Sequence, residues 1–346
     1  MRHLSMLSLC ISICLSIGGV AAQSMPTTPL AVPAAVADSD GIVDMQEMVV
    51  IGVQPGPGMW KVSNAEGHAV WILGTLSPLP RKMQWRSDEV EAVIASAQEV
   101  ISSPRMSVST GQGMFRSLLL VPSLFKARKN PDGKTLQQVV PAGEYARWRI
   151  LKERYIGRDA GVESWRPIFA APELYEAAMK HAGLGQANIV QSLVERTAKA
   201  HKVPITAAMV EIKIPDPKQA IKEFQQTTLE DSECFSRTLT HIEVDLDNMR
   251  ARANAWAVGD IEALKAIPSG DQYAACLAAV SQSAIARKLG VENLRERSLH
   301  EWQRLLEAAL AKNEVTFSTL GMSVLLEQGG VLDALRAKGY TVEAPE

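Results

Sequence analysis

The β-like runs of this 346-residue chain sit mostly at its two ends, with helical periodicity filling the distance between them. Met59 to Val62 and Ala69 to Leu73 are β-rich and are separated by Ser63–His68, with turn chemistry at Asn64 and Gly67, which reads as a hairpin. At the other end Thr316 to Leu320 is β-like. It is followed by a helix over Gly330–Lys338, with Gly339 at C′, and by a closing run at Tyr340–Val342. Between these lie two short strand candidates, Val100–Ile101 and Pro204–Val210. The remaining periodic segments are helical: Asp88–Val100 with Ser87 as N-cap, Gly143–Tyr155, Pro172–His181 and Ile189–His201. Four more follow: Pro217–Val258, Ile261–Leu264, Tyr273–Leu289 and Val291–Lys312. Many helices and a few short strands in this order predict an α+β fold, one small sheet with helices packed around it.

The first 22 residues carry a different signal. Arg2 gives a positive start, Leu4 to Ile17 a short apolar stretch, and Val20-Ala21-Ala22 small residues for cleavage. This reads as a signal peptide cut after Ala22, too short for a stable membrane span, and it predicts a periplasmic or secreted protein. Leu9 and Ile13 stand before Cys10 and Cys14 where a lipoprotein signal needs a small residue. Residues 23–58, rich in Ala, Pro and Gly, read as a flexible tether ending in the breaker cluster Gln54–Gly58, with a single folded domain over 59–346.

Cleavage would leave two cysteines, Cys234 and Cys276, in an oxidising compartment. A disulfide between them closes a loop of about 43 residues and contributes roughly 4 kcal/mol in the chain-entropy account; two separately buried thiols are the alternative. With 36 Lys and Arg against 38 Asp and Glu, nothing in the charge favours nucleic acid. A hydrophobic fraction of 47% excludes a disordered chain.

Two segments carry a recognisable pattern: VWILGTLSPLP (Val70–Pro80) and TFSTLGMSVLLEQGGVLDALRAKGYTVEAP (Thr316–Pro345). With NIVQSLVERTAKAHKVPITAAMVEI (Asn188–Ile212) and AWAVGDIEAL (Ala255–Leu264) between them, the ordered set resembles the TraB/GumN family, related to the animal Tiki proteins. The resemblance implies a small central sheet with both terminal strands in it. It also implies a divalent-metal site, because members proposed to be metal-dependent hydrolases carry GxxH in both glycine motifs and a glutamate after the helix that follows the first. Imidazole and carboxylate donors at neighbouring strand ends suit such an ion, which can polarise a carbonyl and acidify a bound water.

Here those donors are replaced. Gly74-Thr75-Leu76-Ser77 has Ser77 in the first histidine position, and Gly321-Met322-Ser323-Val324 has Val324 in the second. Ser102 or Ser103 stands near the acidic position, and only Glu211 of a later element remains. Neutral hydroxyls are poor ligands for zinc-like ions and valine cannot ligate, so the residues predict no metal and no cofactor.

No other constellation takes over. His3, His68, His181, His201, His241 and His300 show no HxH, HxxxH or HExxH spacing and read as capping or surface residues. Ser323 lacks the second glycine of a nucleophile elbow, and Glu211 reads as a strand-end carboxylate paired with Lys213 or as a retained base. The candidate pocket is therefore Gly74, Thr75, Ser77, Glu211, Gly321, Ser323 and Val324. The expected function is a non-catalytic binding or accessory role toward an envelope protein or polymer. A divergent hydrolase acting on peptides or envelope material is the alternative.

Overall fold

A computed structural model of the chain describes residues 55–111, 119–185, 189–227, 229, 231–268, 276, 279–281 and 283–345. All lie in the unit Val53–Glu346. The expected leader, its cleavage site and most of the tether fall outside the described residues, as do residues 273–275, 277, 278 and 282 of the helix expected over Tyr273–Leu289. The end of the expected tether is packed: Pro57 is buried, and a Cβ on Gly58 would stand 2.6 Å from Pro345.

The fold is α+β. Its strands are β1 (Met59–Ser63), β2 (Ala69–Thr75), β3 (Leu79–Pro80), β4 (Glu99–Ile101) and β5 (Arg105–Ser109). The second set is β6 (Leu184–Gly185), β7 (Ile205–Thr206), β8 (Met209–Lys213), β9 (Val315–Gly321) and β10 (Thr341–Glu343). Six of them form one sheet in the order β10-β1-β2-β9-β4-β7. β1 runs antiparallel to both β10 and β2, whereas β2, β9, β4 and β7 are mutually parallel. Strands from the two ends of the chain therefore meet at the centre, with Thr75 opposite Gly321. The hairpin closes through His68 N–H donating to Asn64 Oδ1 at 2.9 Å, with Gly67 at φ +85°.

β9 is central and buried on both faces, with Phe317 on one and Leu320 on the other, as a strand covered on both sides requires. Its buried Ser318 is satisfied locally: Trp302 Nε1 donates to Ser318 Oγ at 3.0 Å, and that hydroxyl donates to Ile101 O at 3.1 Å. The helices Asp88–Ser96, Ile189–His201 and Leu294–Leu310 bury their apolar stripes in this core. A second core holds Trp148, Leu174, Phe235 and Leu239, from the helices Ala142–Tyr155, Pro167–His181 and Ser232–Val244. Cys234 and Cys276 form a disulfide beside it, with Cα atoms 4.5 Å apart.

Several local expectations are corrected. The run Pro204–Val210 divides: β7 joins the main sheet while β8 pairs with the unexpected β5 in a separate two-stranded sheet. The helical stretch Pro217–Val258 is three helices, Pro217–Gln226, Ser232–Val244 and Leu246–Ala257. The helix expected from Pro172 starts at Pro167 and carries Pro172 inside it. Ser87 does not cap; its hydroxyl donates to Glu91 Oε1 at 2.6 Å. Between the helices Leu246–Ala257 and Ile261–Ala266, Gly259 stands at φ +71° and the Asp260 side chain caps the new helix by accepting from Ala263 N–H at 2.8 Å. Among the described residues, no helix is long and apolar enough to cross a membrane.

Candidate functional site

In a sheet with parallel strands, a crevice opens at the carboxyl ends where loops leave to different sides. Here it is a cleft of about 950 Å³ at the ends of β2, β9, β4 and β7. Thr75, Ser77, Ser102, Ser103, Thr319, Gly321 and Ser323 give it a hydroxyl-rich floor. Those hydroxyls also tie the strand ends together. Ser103 Oγ donates to Thr319 Oγ1 at 2.9 Å, the Ser103 N–H donates to the same oxygen at 2.9 Å, and Thr75 Oγ1 donates to Leu320 O at 3.2 Å. Ser77 and Ser323 are exposed toward the opening.

Of the expected pocket residues, Thr75, Ser77, Gly321 and Ser323 come together. Gly74 is buried just behind them, and its carbonyl accepts from Trp256 Nε1 at 2.7 Å. The space a side chain on Gly74 would need is taken, since an added Cβ would lie 2.5 Å from Met322 Cε and 3.1 Å from Trp60. Val324 is half-buried against the main core. Glu211 does not join them. It lies on β8, with its side chain 47% exposed and 3.6 Å from Lys213 Nζ, in a shallow depression with Glu296, His300 and Glu301. The register that sends β8 to pair with β5 carries Glu211 away from the main sheet.

The far wall of the cleft was not legible as a site. His241, Asp245, Asn248 and Arg252 all face it, from the consecutive helices Ser232–Val244 and Leu246–Ala257 and, for Asp245, from their junction. His241, read as a capping or surface residue, is 7% exposed, and its Nδ1 lies 2.7 Å from Asp245 Oδ2. The other Asp245 oxygen, Oδ1, accepts from Asn248 Nδ2 at 3.2 Å. Arg252 is also 7% exposed, and burial pulls its guanidinium below the ordinary arginine pKa. The signal that could have revealed this wall is its spacing. Positions 241, 245, 248 and 252 form one polar stripe at helical period, running through the junction between the two helices.

A metal site of the kind the resemblance implies needs imidazole, carboxylate or thiolate donors converging within about 2–2.5 Å of one point. The strand ends here supply hydroxyls and the thioether of Met322 instead. Among the described residues, no group of three His, Cys, Asp or Glu is placed to hold an ion. The residues present do not fit the group.

No curated protein matches the chain significantly. The model of the TraB/PrgY/gumN family matches residues 58–344, which spans the sheet, both glycine motifs and the helical wall of the cleft. With both motif strands paired side by side and the match running from β1 to β10, the chain belongs to the TraB/PrgY/gumN family.

Proposed function

We propose that this protein is exported to the cell envelope and acts there by binding a ligand in the cleft rather than by metal-dependent hydrolysis. The observation that carries the reading is the floor of the cleft: Ser77, Ser103, Thr319 and Ser323 stand where a metal centre would require nitrogen and carboxylate donors. Their hydroxyls suit recognition of a polar ligand, and the volume suits a molecule of small to moderate size. Elemental analysis after saturation with zinc, manganese and cobalt tests it. The expected result is far less than one ion per chain. A stoichiometric ion that is lost on substituting the cleft residues would refute it.

A second reading, a divergent hydrolase of peptides or envelope material, is favoured by one observation. The His241–Asp245 pair on the cleft wall resembles the oriented imidazole of a general base. A peptidase assay against denatured protein separates the two. Hydrolysis abolished by His241→Gln supports the second reading, and its absence in the wild type supports the first.

A further inference from the structure

Arg252 is a buried cation on the wall of the cleft. It is 7% exposed, and its hydrogen bonds within the protein leave from one nitrogen, Nη1, to Leu264 O at 2.8 Å and Ile267 O at 2.9 Å. Those carbonyls lie at and just beyond the C-terminal end of the helix Ile261–Ala266, so the negative end of its dipole offsets part of the charge. A guanidinium has five N–H donors, which leaves those on Nε and Nη2 for something else.

The carboxylates that line the cleft are engaged. Asp245 spends one oxygen on His241 and the other on Asn248. Glu327 pairs with Arg295 at 2.7 Å, and Glu195 accepts from Gln191 at 2.5 Å. The contrast with Arg166 is instructive. That side chain is 4% exposed and also donates to two carbonyls, of Phe224 and Thr227, but Asp231 supplies a counter-charge and the residue lies away from the cleft. Arg252 has the same carbonyl anchoring, no such partner among the described residues, and a place on the wall of a hydroxyl-floored cavity. A buried cation without its counter-ion is costly, and a planar guanidinium edge matches carboxylate and phosphate oxygens in a bidentate fork.

We propose that Arg252 is the oxyanion-binding residue of the cleft, receiving the carboxylate or phosphate group of a small polar ligand on its Nε–Nη2 edge. Ser77 and Ser323 then meet the uncharged polar part of the same ligand. The inference rests on the reading of the cleft as a binding site and names the chemistry of what it binds.

The test is calorimetric titration of the purified chain at low ionic strength, with inorganic phosphate and citrate as separate probes. Wild-type protein is expected to bind at least one of them at a single site; which one distinguishes a phosphate-bearing from a carboxylate-bearing ligand. Arg252→Met is expected to weaken binding at least tenfold, with Arg252→Lys between the two. Because Arg252→Met also removes two carbonyl bonds, Asn248→Asp is the companion variant. It leaves Arg252 in place and sets a second carboxylate one helical turn away, and it is expected to cost at least tenfold as well. If Arg252→Met does not fold, Asn248→Asp decides alone. No binding of either probe by the wild type, or wild-type affinity in either folded variant, overturns the proposal. The elemental analysis is independent of this outcome. A stoichiometric metal refutes the metal-free reading, whereas Arg252-independent titrations without metal refute this inference only.

Discussion

Replacing Trp256 by Phe probes the joint between the floor of the cleft and its helical wall. Trp256 is fully buried, its Nε1 donates to Gly74 O at 2.7 Å, and its ring lies 5.3 Å from that of Trp85. It sits one turn after Arg252 on the helix Leu246–Ala257, so its indole fastens that helix to the end of β2. Phe keeps an aromatic ring but loses the donor, which costs about 1–2 kcal/mol for a buried hydrogen bond. The smaller ring also leaves roughly 40 Å³ unfilled, about 1 kcal/mol at some 24 cal/mol per Å³. Together these predict a loss of about 2–3 kcal/mol. With roughly 2 cal/mol/K of unfolding entropy per residue, that lowers Tm by about 4 °C in a domain of this size. Urea unfolding and thermal melts followed by circular dichroism measure it. Trp71→Phe is the control, on a half-buried residue of β2 that stacks under Lys61, with an expected cost below about 1 kcal/mol. If Trp256→Phe costs no more than the control, the buried indole–carbonyl bond is not what holds wall to floor.

Three further outcomes are expected. Burial pushes the Glu99 carboxyl up, but the Thr206 hydroxyl, Lys312 at 2.9 Å and Asn313 at 3.1 Å outweigh it and hold the group below its ordinary value. A carboxylate with a depressed folded pKa contributes stability that is present above the unfolded pKa, about 4.3, and is lost as pH falls through the folded one. The stability difference between wild type and Glu99→Gln should therefore be constant above about pH 5 and shrink on acidification, read from urea midpoints across pH. Reduction of the Cys234–Cys276 disulfide, which spans 42 positions, should cost up to about 4 kcal/mol, measured as the shift in urea midpoint with and without reductant. Gly74→Ala should destabilise by about 1–3 kcal/mol by driving its methyl group into Met322 and Trp60; Met322→Ala in the same chain should recover part of the loss.

Much of the frame was readable because periodicity and punctuation are local. The hairpin over β1 and β2, the strand β9 and the helix-ending Gly339 at φ +92° follow from residues within a few positions of each other. The helix boundaries inside Pro217–Val258 were not readable, because an unbroken helical period does not show where the chain changes direction. The split of Pro204–Val210 was hidden for a related reason, since a β-rich run does not name its partner strand.

The candidate site divides along the same line. Absence of imidazole from both glycine motifs is a property of the chain alone, because no folding can put an imidazole on Ser77 or Val324. Pairing of the two cysteines was a compartment argument until the helices brought them within bonding distance. What takes the place of the metal donors was decided by tertiary structure: Met322 fills the space over Gly74, β8 carries Glu211 off to another sheet, and two successive helices aim His241, Asp245, Asn248 and Arg252 at the strand ends. Which polar residues share a cavity depends on how separate elements pack. Burial and a missing counter-charge, the properties that single out Arg252, exist only once that packing has formed.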